Sequence, residues 1–154
     1  MKLRNLFIVG LLAIAAITTT ANAQSYRTAG GLFIDFGEGS TLVGPHVKHF
    51  FTNQMAGQAA VLFGTGVTAI SLEGSYNAPI PGAQGLAWNV GIGPQAWIGK
   101  NNTVFALRPA LGLEYTIPSA PINLGIDWRP AWALSDGSHF SAGHFGLALR
   151  YIFR

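Results

Sequence analysis

The chain has 154 residues, of which 49% are hydrophobic and only 10% are charged, and it contains no cysteine. Ordinary soluble domains carry about 25% charged residues, so this composition argues against a disordered tail, a coiled coil and a basic nucleic-acid-binding domain. The absence of cysteine excludes disulfide scaffolds and thiolate metal sites, and a formal charge of +3 says little about partners.

The first 23 residues have the pattern of a secretory signal peptide. Lys2 and Arg4 precede an apolar run over residues 6–17, and Ala21 and Ala23 supply the small residues of a signal peptidase site. A transmembrane helix would need about 18 or more apolar residues. We therefore predict an exported chain whose mature part, residues 24–154, forms one domain.

The mature part alternates between apolar and small or polar residues with period two, which is the signature of β-strands. Eight strands are predicted, at about residues 28–36, 42–51, 57–63, 67–77, 85–98, 105–115, 122–128 and 144–153. The connections are short, so neighbouring strands should form antiparallel hairpins. The longest loop is expected over residues 134–142.

Four prolines lie inside these predicted strands or directly at their end, namely Pro45, Pro94, Pro109 and Pro130. Proline cannot donate a hydrogen bond to a neighbouring strand and is expected at edges, strand starts or bulges. A closed barrel has no edges. We therefore predict bulged or broken strand pairing at these sites, towards the external rim.

One face of each predicted strand is apolar, and the other is dominated by glycine and alanine, as at Gly44, Gly93, Gly112 and Ala148. A water-exposed face would carry many more charges. Small residues suit the crowded interior of an eight-stranded barrel, which side chains can fill. The predicted fold is all-β: an eight-stranded antiparallel up-and-down transmembrane β-barrel.

The aromatic residues of the apolar face fall near the ends of the strands. With both termini on the periplasmic side, one group lies at the periplasmic rim: Phe51, Tyr76, Trp88, Tyr115, Tyr151 and Phe153. A second group lies at the external rim: Phe36, Phe63, Phe105 and Trp132. Two aromatic girdles that flank an aliphatic band are typical of outer-membrane barrels.

The opposite face carries equal numbers of acids and bases. The acids are Asp35, Glu73, Glu114 and Asp127, and the bases are Lys48, Arg108, Arg129 and Arg150. Unpaired charges in a narrow interior are costly, so we predict that these eight residues pair in a lumen charge network. A proton or ion path and a paired-carboxylate hydrolase are the functional alternatives for the same residues.

The C-terminal third carries a family resemblance. The runs PINLGIDWRP (121–130) and GHFGLALRYIF (143–153) resemble the last hairpin of small outer-membrane β-barrel proteins of Bacteroidota, of the OmpA/OmpX-like eight-stranded class. Residues 42–51 and 86–99 resemble earlier strands of such barrels. The resemblance implies that Phe153, the aromatic residue ending the last strand, is recognised by the outer-membrane insertion machinery.

Candidate catalytic and metal sites are few. His46 and His49 are three residues apart and so point to opposite faces of a strand. His139 and His144 flank the last loop, and Ser141 with His144 is the one pair that resembles a lipid hydrolase site, with Asp136 as its candidate orienting acid.

We therefore predict a non-catalytic, monomeric barrel in outer-membrane lipid, with a packed polar lumen, a structural or interaction role, and no cofactor, metal or nucleic-acid partner. The alternatives are a soluble periplasmic ligand-binding barrel, an outer-membrane lipid hydrolase and a narrow porin.

Overall fold

The computed structural model describes residues 26–135 and 137–154. The predicted signal peptide and Asp136 lie outside these residues. The described strands are β1 (Thr28–Gly37), β2 (Ser40–Phe50), β3 (Met55–Gly64), β4 (Val67–Pro79), β5 (Leu86–Gly99), β6 (Thr103–Thr116), β7 (Ile122–Trp128), β8 (Ala131–Ala133), β9 (His139–Ser141) and β10 (His144–Phe153). No helix in this part of the chain is long and apolar enough to cross a membrane.

The strands close into a barrel. Each of β1 to β6 pairs antiparallel with the next strand along the chain. β7 then pairs with β10, and β10 pairs with β1. The short strands β8 and β9 continue β7 and β10 beyond the ring and pair with each other. The ring therefore has eight members, and the predicted eight-stranded antiparallel barrel is confirmed.

The two ends of the barrel can be named by their connections. The terminal end carries both chain termini, where Thr28 pairs with Phe153, and the turns over residues 51–54, 80–85 and 117–121. The far end carries the turns over 38–39, 65–66, 100–102 and 134–138. The loop predicted over 134–142 is shorter than expected, because residues 139–141 pair with β8 instead.

The strand pairing breaks at all four prolines. Pro45 lacks a partner in β3, and Pro94 lacks one in β4, although both pair regularly on their other side. Pro109 and Pro130 lie opposite each other where the pairing of β6 passes from β7 to β8. Neither can donate a backbone hydrogen bond, so the ladder opens there. The prediction of broken pairing is confirmed.

Two of these breaks are also places where the neighbouring backbone comes very close. A Cβ atom at Gly44 would overlap the carbonyl oxygen of Val61, and one at Gly93 would overlap that of Leu72. Each glycine directly precedes a proline, so each Gly-Pro pair lets the neighbouring backbone approach while removing a donor. Glycine kinks of this kind allow a sheet to curve into a barrel.

The apolar face of the barrel points outward. Leu72, Leu149 and Ile126 are each more than half exposed, at 58%, 52% and 53%. The inward positions carry alanine, glycine and polar side chains, and apart from Phe33, Leu42 and Leu62 the buried apolar residues at its centre are alanines. The distribution is the inverse of a water-soluble barrel, and it places the polar residues in the lumen.

Candidate functional site in the barrel lumen

All eight charged residues of the predicted lumen network point into the barrel. Lys48 is fully buried, and the side chain of Asp127, the most exposed of the eight, is 13% exposed. The eight residues make five ion pairs with one another: Lys48–Glu114, Arg150–Glu114, Arg108–Asp35, Arg129–Glu73 and Arg129–Asp127.

The first group, which we call the Glu114 cluster, consists of Glu114, Lys48, Arg150 and Tyr26. Lys48 donates to Oε1 of Glu114, and Arg150 Nη1 donates to the same oxygen over 3.1 Å. The Tyr26 hydroxyl donates to Oε2 over 3.2 Å. Tyr26 precedes β1, where burial and the Glu114 carboxylate raise its pKa above the usual value. One carboxylate therefore accepts hydrogen bonds from two cations and a phenol.

The second group, the Arg129 cluster, consists of Arg129, Asp127, Glu73 and Phe33. Arg129 makes two bonds to the Asp127 carboxylate, of 2.6 and 2.9 Å, and lies 3.2 Å from Oε2 of Glu73. Its guanidinium also stacks 4.5 Å from the centroid of the Phe33 ring, in cation–π geometry. In this cluster one cation forms ion pairs with two carboxylates.

His46 and Gln58 connect the two clusters. Arg150 Nε donates to Nδ1 of His46 over 3.2 Å. Since a guanidinium cannot accept, Nδ1 is the acceptor and the proton of the neutral ring sits on Nε2. Nε2 then donates to Oε1 of Gln58 over 3.0 Å, and the Gln58 amide donates to Glu73 over 2.8 Å. The hydrogen bonds run unbroken from Glu114 to Glu73, and the ion pair of Glu73 with Arg129 completes the connection.

Arg108 forms the third group with Asp35, nearer the far end. Its two terminal nitrogens meet the two Asp35 oxygens at 2.8 and 3.3 Å. Arg108 also donates to the backbone carbonyl of Arg129 over 2.7 Å, beside the break at Pro130. The Trp97 ring lies 5.4 Å below the guanidinium. The side chain thus replaces part of the pairing that the prolines remove.

Little free volume remains among these groups. A cavity of about 10 Å³, lined by His46, Gln58, Glu73 and Arg129 among others, has room for about one water molecule. Towards the far end the lumen widens into a vestibule of about 330 Å³, whose lining includes Asp35, Glu38, Trp97 and His144. The described side chains therefore close the middle of the barrel.

The residues predicted for the aromatic girdle lie on the outer surface. Tyr115, Tyr151 and Phe153 are exposed at the terminal end, and Trp132 is exposed at the far end. Trp88 is half-buried at the terminal end, where its ring packs 5.7 Å from that of Tyr76.

The candidate hydrolase and metal residues do not form a site. The Ser141 hydroxyl is buried without a hydrogen-bond partner, so it is not bonded to His144. His144 lies 3.9 Å from Asp35, inside the vestibule. His46 faces the lumen while His49 lies on the outside. Among the described residues, no group of three or more His, Asp or Glu side chains could hold a metal ion.

Sequence reasoning missed several lumen residues. His46 shares a strand face with Lys48, and Gln58, Asn77 and Asn123 share faces with predicted lumen positions, so their alternation was the available signal. Phe33, Phe50 and Trp97 were also not singled out. Each points inward beneath a cation, on the same strand face as a predicted lumen position.

Comparison with known proteins shows that this chain shares its fold with solved structures. No protein-family model matches the chain, and no curated protein is significantly similar to it. The N-terminal β-barrel domain of Pseudomonas aeruginosa OprF superposes with a TM-score of 0.62 and 16% identity, covering 84% of this chain and 100% of that one. A de novo designed transmembrane β-barrel superposes with a TM-score of 0.61 and 10% identity, covering 86% and 100%. The chain has the fold of the transmembrane β-barrels.

Proposed function

We propose that this protein is an integral outer-membrane β-barrel with a closed polar lumen and a non-catalytic role, structural or in interaction with partners. The observation that carries the proposal is the inside-out distribution of its side chains. Every Asp, Glu, Lys and Arg in a described strand faces the lumen, whereas leucine, isoleucine, valine and aromatic residues cover the outside. Such a surface is stable in lipid and insoluble in water.

A soluble ligand-binding barrel is the main alternative, and it requires the apolar face to point inward. The outward direction of that face in the described strands favours the membrane barrel. Fractionation of expressing cells tests the choice. We expect the protein in the outer-membrane fraction, resistant to carbonate extraction, and migrating differently on gels before and after boiling. Recovery in the soluble periplasmic fraction would contradict the proposal.

The filled lumen supports a barrel without steady conductance. The three ionic groups span the cross-section, and the cavity among them holds about one water molecule. We expect no stable openings when the purified, folded protein is reconstituted in planar bilayers. Large, long-lived openings would instead make a narrow porin the better function.

An insertion signal at Phe153 is part of the same proposal. Phe153 is exposed beside Tyr151 at the end of β10, so its truncation should cost little packing. We expect Phe153→Ala to lower the yield of folded protein in cells while leaving refolding of the purified chain into detergent unchanged. Removal of Arg154 is the matched control. Equal folded yields in cells would contradict recognition of Phe153.

The non-catalytic role is tested against the lipid hydrolase. The unbonded Ser141 hydroxyl argues against a nucleophile activated by His144, because such a nucleophile needs a base within hydrogen-bond reach. We expect no esterase or phospholipase activity from the folded barrel. Activity that disappears in both Ser141→Ala and His144→Ala would overturn this part of the proposal.

A further inference from the structure

The outer wall has more than one apolar groove. One, of about 580 Å³, is lined by Leu32, Leu113 and Leu149 among others. A second groove has a histidine at its rim. It crosses β2 to β5 near the terminal end and has a volume of about 360 Å³. Its floor is formed by Gly57, Ala59 and Gly74, at outward positions where neighbouring strands carry larger side chains. Gly57 and Gly74 are cross-strand partners, so two missing side chains coincide.

The walls of the groove are apolar, and its rim is polar. Val47, Leu72 and Ile92 flank the floor, and Phe51 lies over Gly57 at the terminal end. His49 stands at the same rim, and its Nδ1 is bonded to the Thr28 hydroxyl over 2.8 Å. The second ring nitrogen is therefore the one that can meet a ligand.

Charge distinguishes this end of the barrel from the other. Arg27 and Arg154 are exposed at the terminal end, and the described residues of that end include no exposed Asp or Glu. The backbone carbonyl of Arg27 accepts a bond from the Phe50 amide over 2.8 Å, which holds Arg27 next to the groove rim. The far end instead carries Glu38 together with Lys100.

We propose that the groove binds an acyl chain of an anionic phospholipid whose phosphate is held by Arg27 and His49. An apolar channel with a few polar groups at one end matches the two parts of such a molecule. Cations near a membrane surface attract anionic headgroups. The inference rests on the proposed membrane location and adds a specific lipid site to it.

The test measures thermal unfolding of the folded barrel in detergent micelles that contain dioleoyl-phosphatidylglycerol, dioleoyl-phosphatidylcholine or inorganic phosphate alone. We expect phosphatidylglycerol to raise the midpoint by about 4 °C at about tenfold its Kd. Phosphatidylcholine should raise it less, and inorganic phosphate should have no effect. Equal responses to the two lipids, or full stabilisation by phosphate alone, would overturn the proposal.

Variants separate the chain site from the headgroup site. Gly74→Leu should abolish the response to both lipids, because its side chain enters open space in the groove. Thr68→Leu, on the same face of β4 outside the groove, should keep the response. If Gly74→Leu does not fold, Ala59→Leu fills the same groove from β3. A groove-filling variant that still responds would overturn the proposal.

Arg27→Gln should reduce the phosphatidylglycerol response to the level of phosphatidylcholine, whereas Lys100→Gln at the far end should leave it unchanged. Equal behaviour of these two variants would overturn the role of Arg27. A folded barrel without lipid preference contradicts this site alone. A chain found soluble in the periplasm contradicts the membrane function as well.

Discussion

The Glu114 cluster and the Arg129 cluster each bury three charged groups, but their net charges have opposite signs. In the first, one carboxylate balances Lys48 and Arg150, and in the second, one guanidinium balances Glu73 and Asp127. Neither cluster is neutral alone, and the excess charges cancel only across the bridge of His46 and Gln58. Charge neutrality therefore belongs to the lumen as a whole rather than to separate ion pairs.

The largest effect is expected from Glu114→Gln, which removes the shared carboxylate while keeping its volume. Lys48 and Arg150 then remain buried without an anion, and a guanidinium cannot lose its proton to escape. We expect the free energy of unfolding to fall by about 3 to 5 kcal/mol in urea titrations of the folded barrel. Glu38→Gln in the far-end turn is the control, and a similar loss there would contradict the cluster's special role.

Arg129→Met tests the opposite cluster and should differ in its pH dependence. The change leaves Glu73 and Asp127 unpaired, with a loss of about 3 kcal/mol at pH 7. Carboxylates can take up protons, so the variant's deficit relative to the unmodified protein should shrink as the pH falls towards about 5. Glu114→Gln should show no such recovery. Unfolding titrations at both pH values check this. The same pH dependence in the two variants would contradict the opposite charge of the two clusters.

A smaller loss of stability is expected for Arg108→Leu, which removes the cation of the Arg108–Asp35 ion pair outside both clusters. Asp35 lines the vestibule, where water can reach it, so the loss should be about 1 to 3 kcal/mol. We expect lower thermal stability without a gain of steady conductance in planar bilayers. Stable openings in this variant would show that Arg108 alone closes the lumen.

The smallest effect should come from cutting the bridge with Gln58→Met. The substitution keeps most of the volume but removes the bonds to His46 and Glu73, at a cost of about 1 to 2 kcal/mol. Gln84→Met, in an exposed terminal-end turn, is the matched control and should be silent. A loss as large as that of Glu114→Gln would mean that the clusters depend on the bridge more than on their own ion pairs.

The period-two alternation was enough to place each charged residue on the correct face. Lys48 on β2 and Glu114 on β6 both fall on the small-residue side of their strands, and both are buried. Strand ends were less predictable. Residues 139–141 were expected in a loop because they follow the turn residues Gly137 and Ser138. They form the short strand β9 instead, because they pair with β8.

The partners of each charge could not be predicted. Asp35 and Arg108 are 73 residues apart, and Tyr26 and Glu114 are 88 apart. Which side chains meet at one height in the lumen depends on the stagger of all eight strands, and a local pattern carries no information about it. For the same reason, equal numbers of acids and bases do not indicate which side chains pair: the barrel forms five ion pairs, of which four share Glu114 or Arg129.

The strands, the two faces and the proline breaks could be predicted from the sequence, because each depends on neighbouring residues and on the chemistry of a single backbone unit. Three features emerge only in the folded barrel: Phe33 and Trp97 lie under cations, His46 links two ionic clusters, and Gly57 pairs with Gly74 in an outer groove. These contacts join strands distant along the chain. Closure of the barrel brings them together, and the free energy of burying charge makes them mutually dependent.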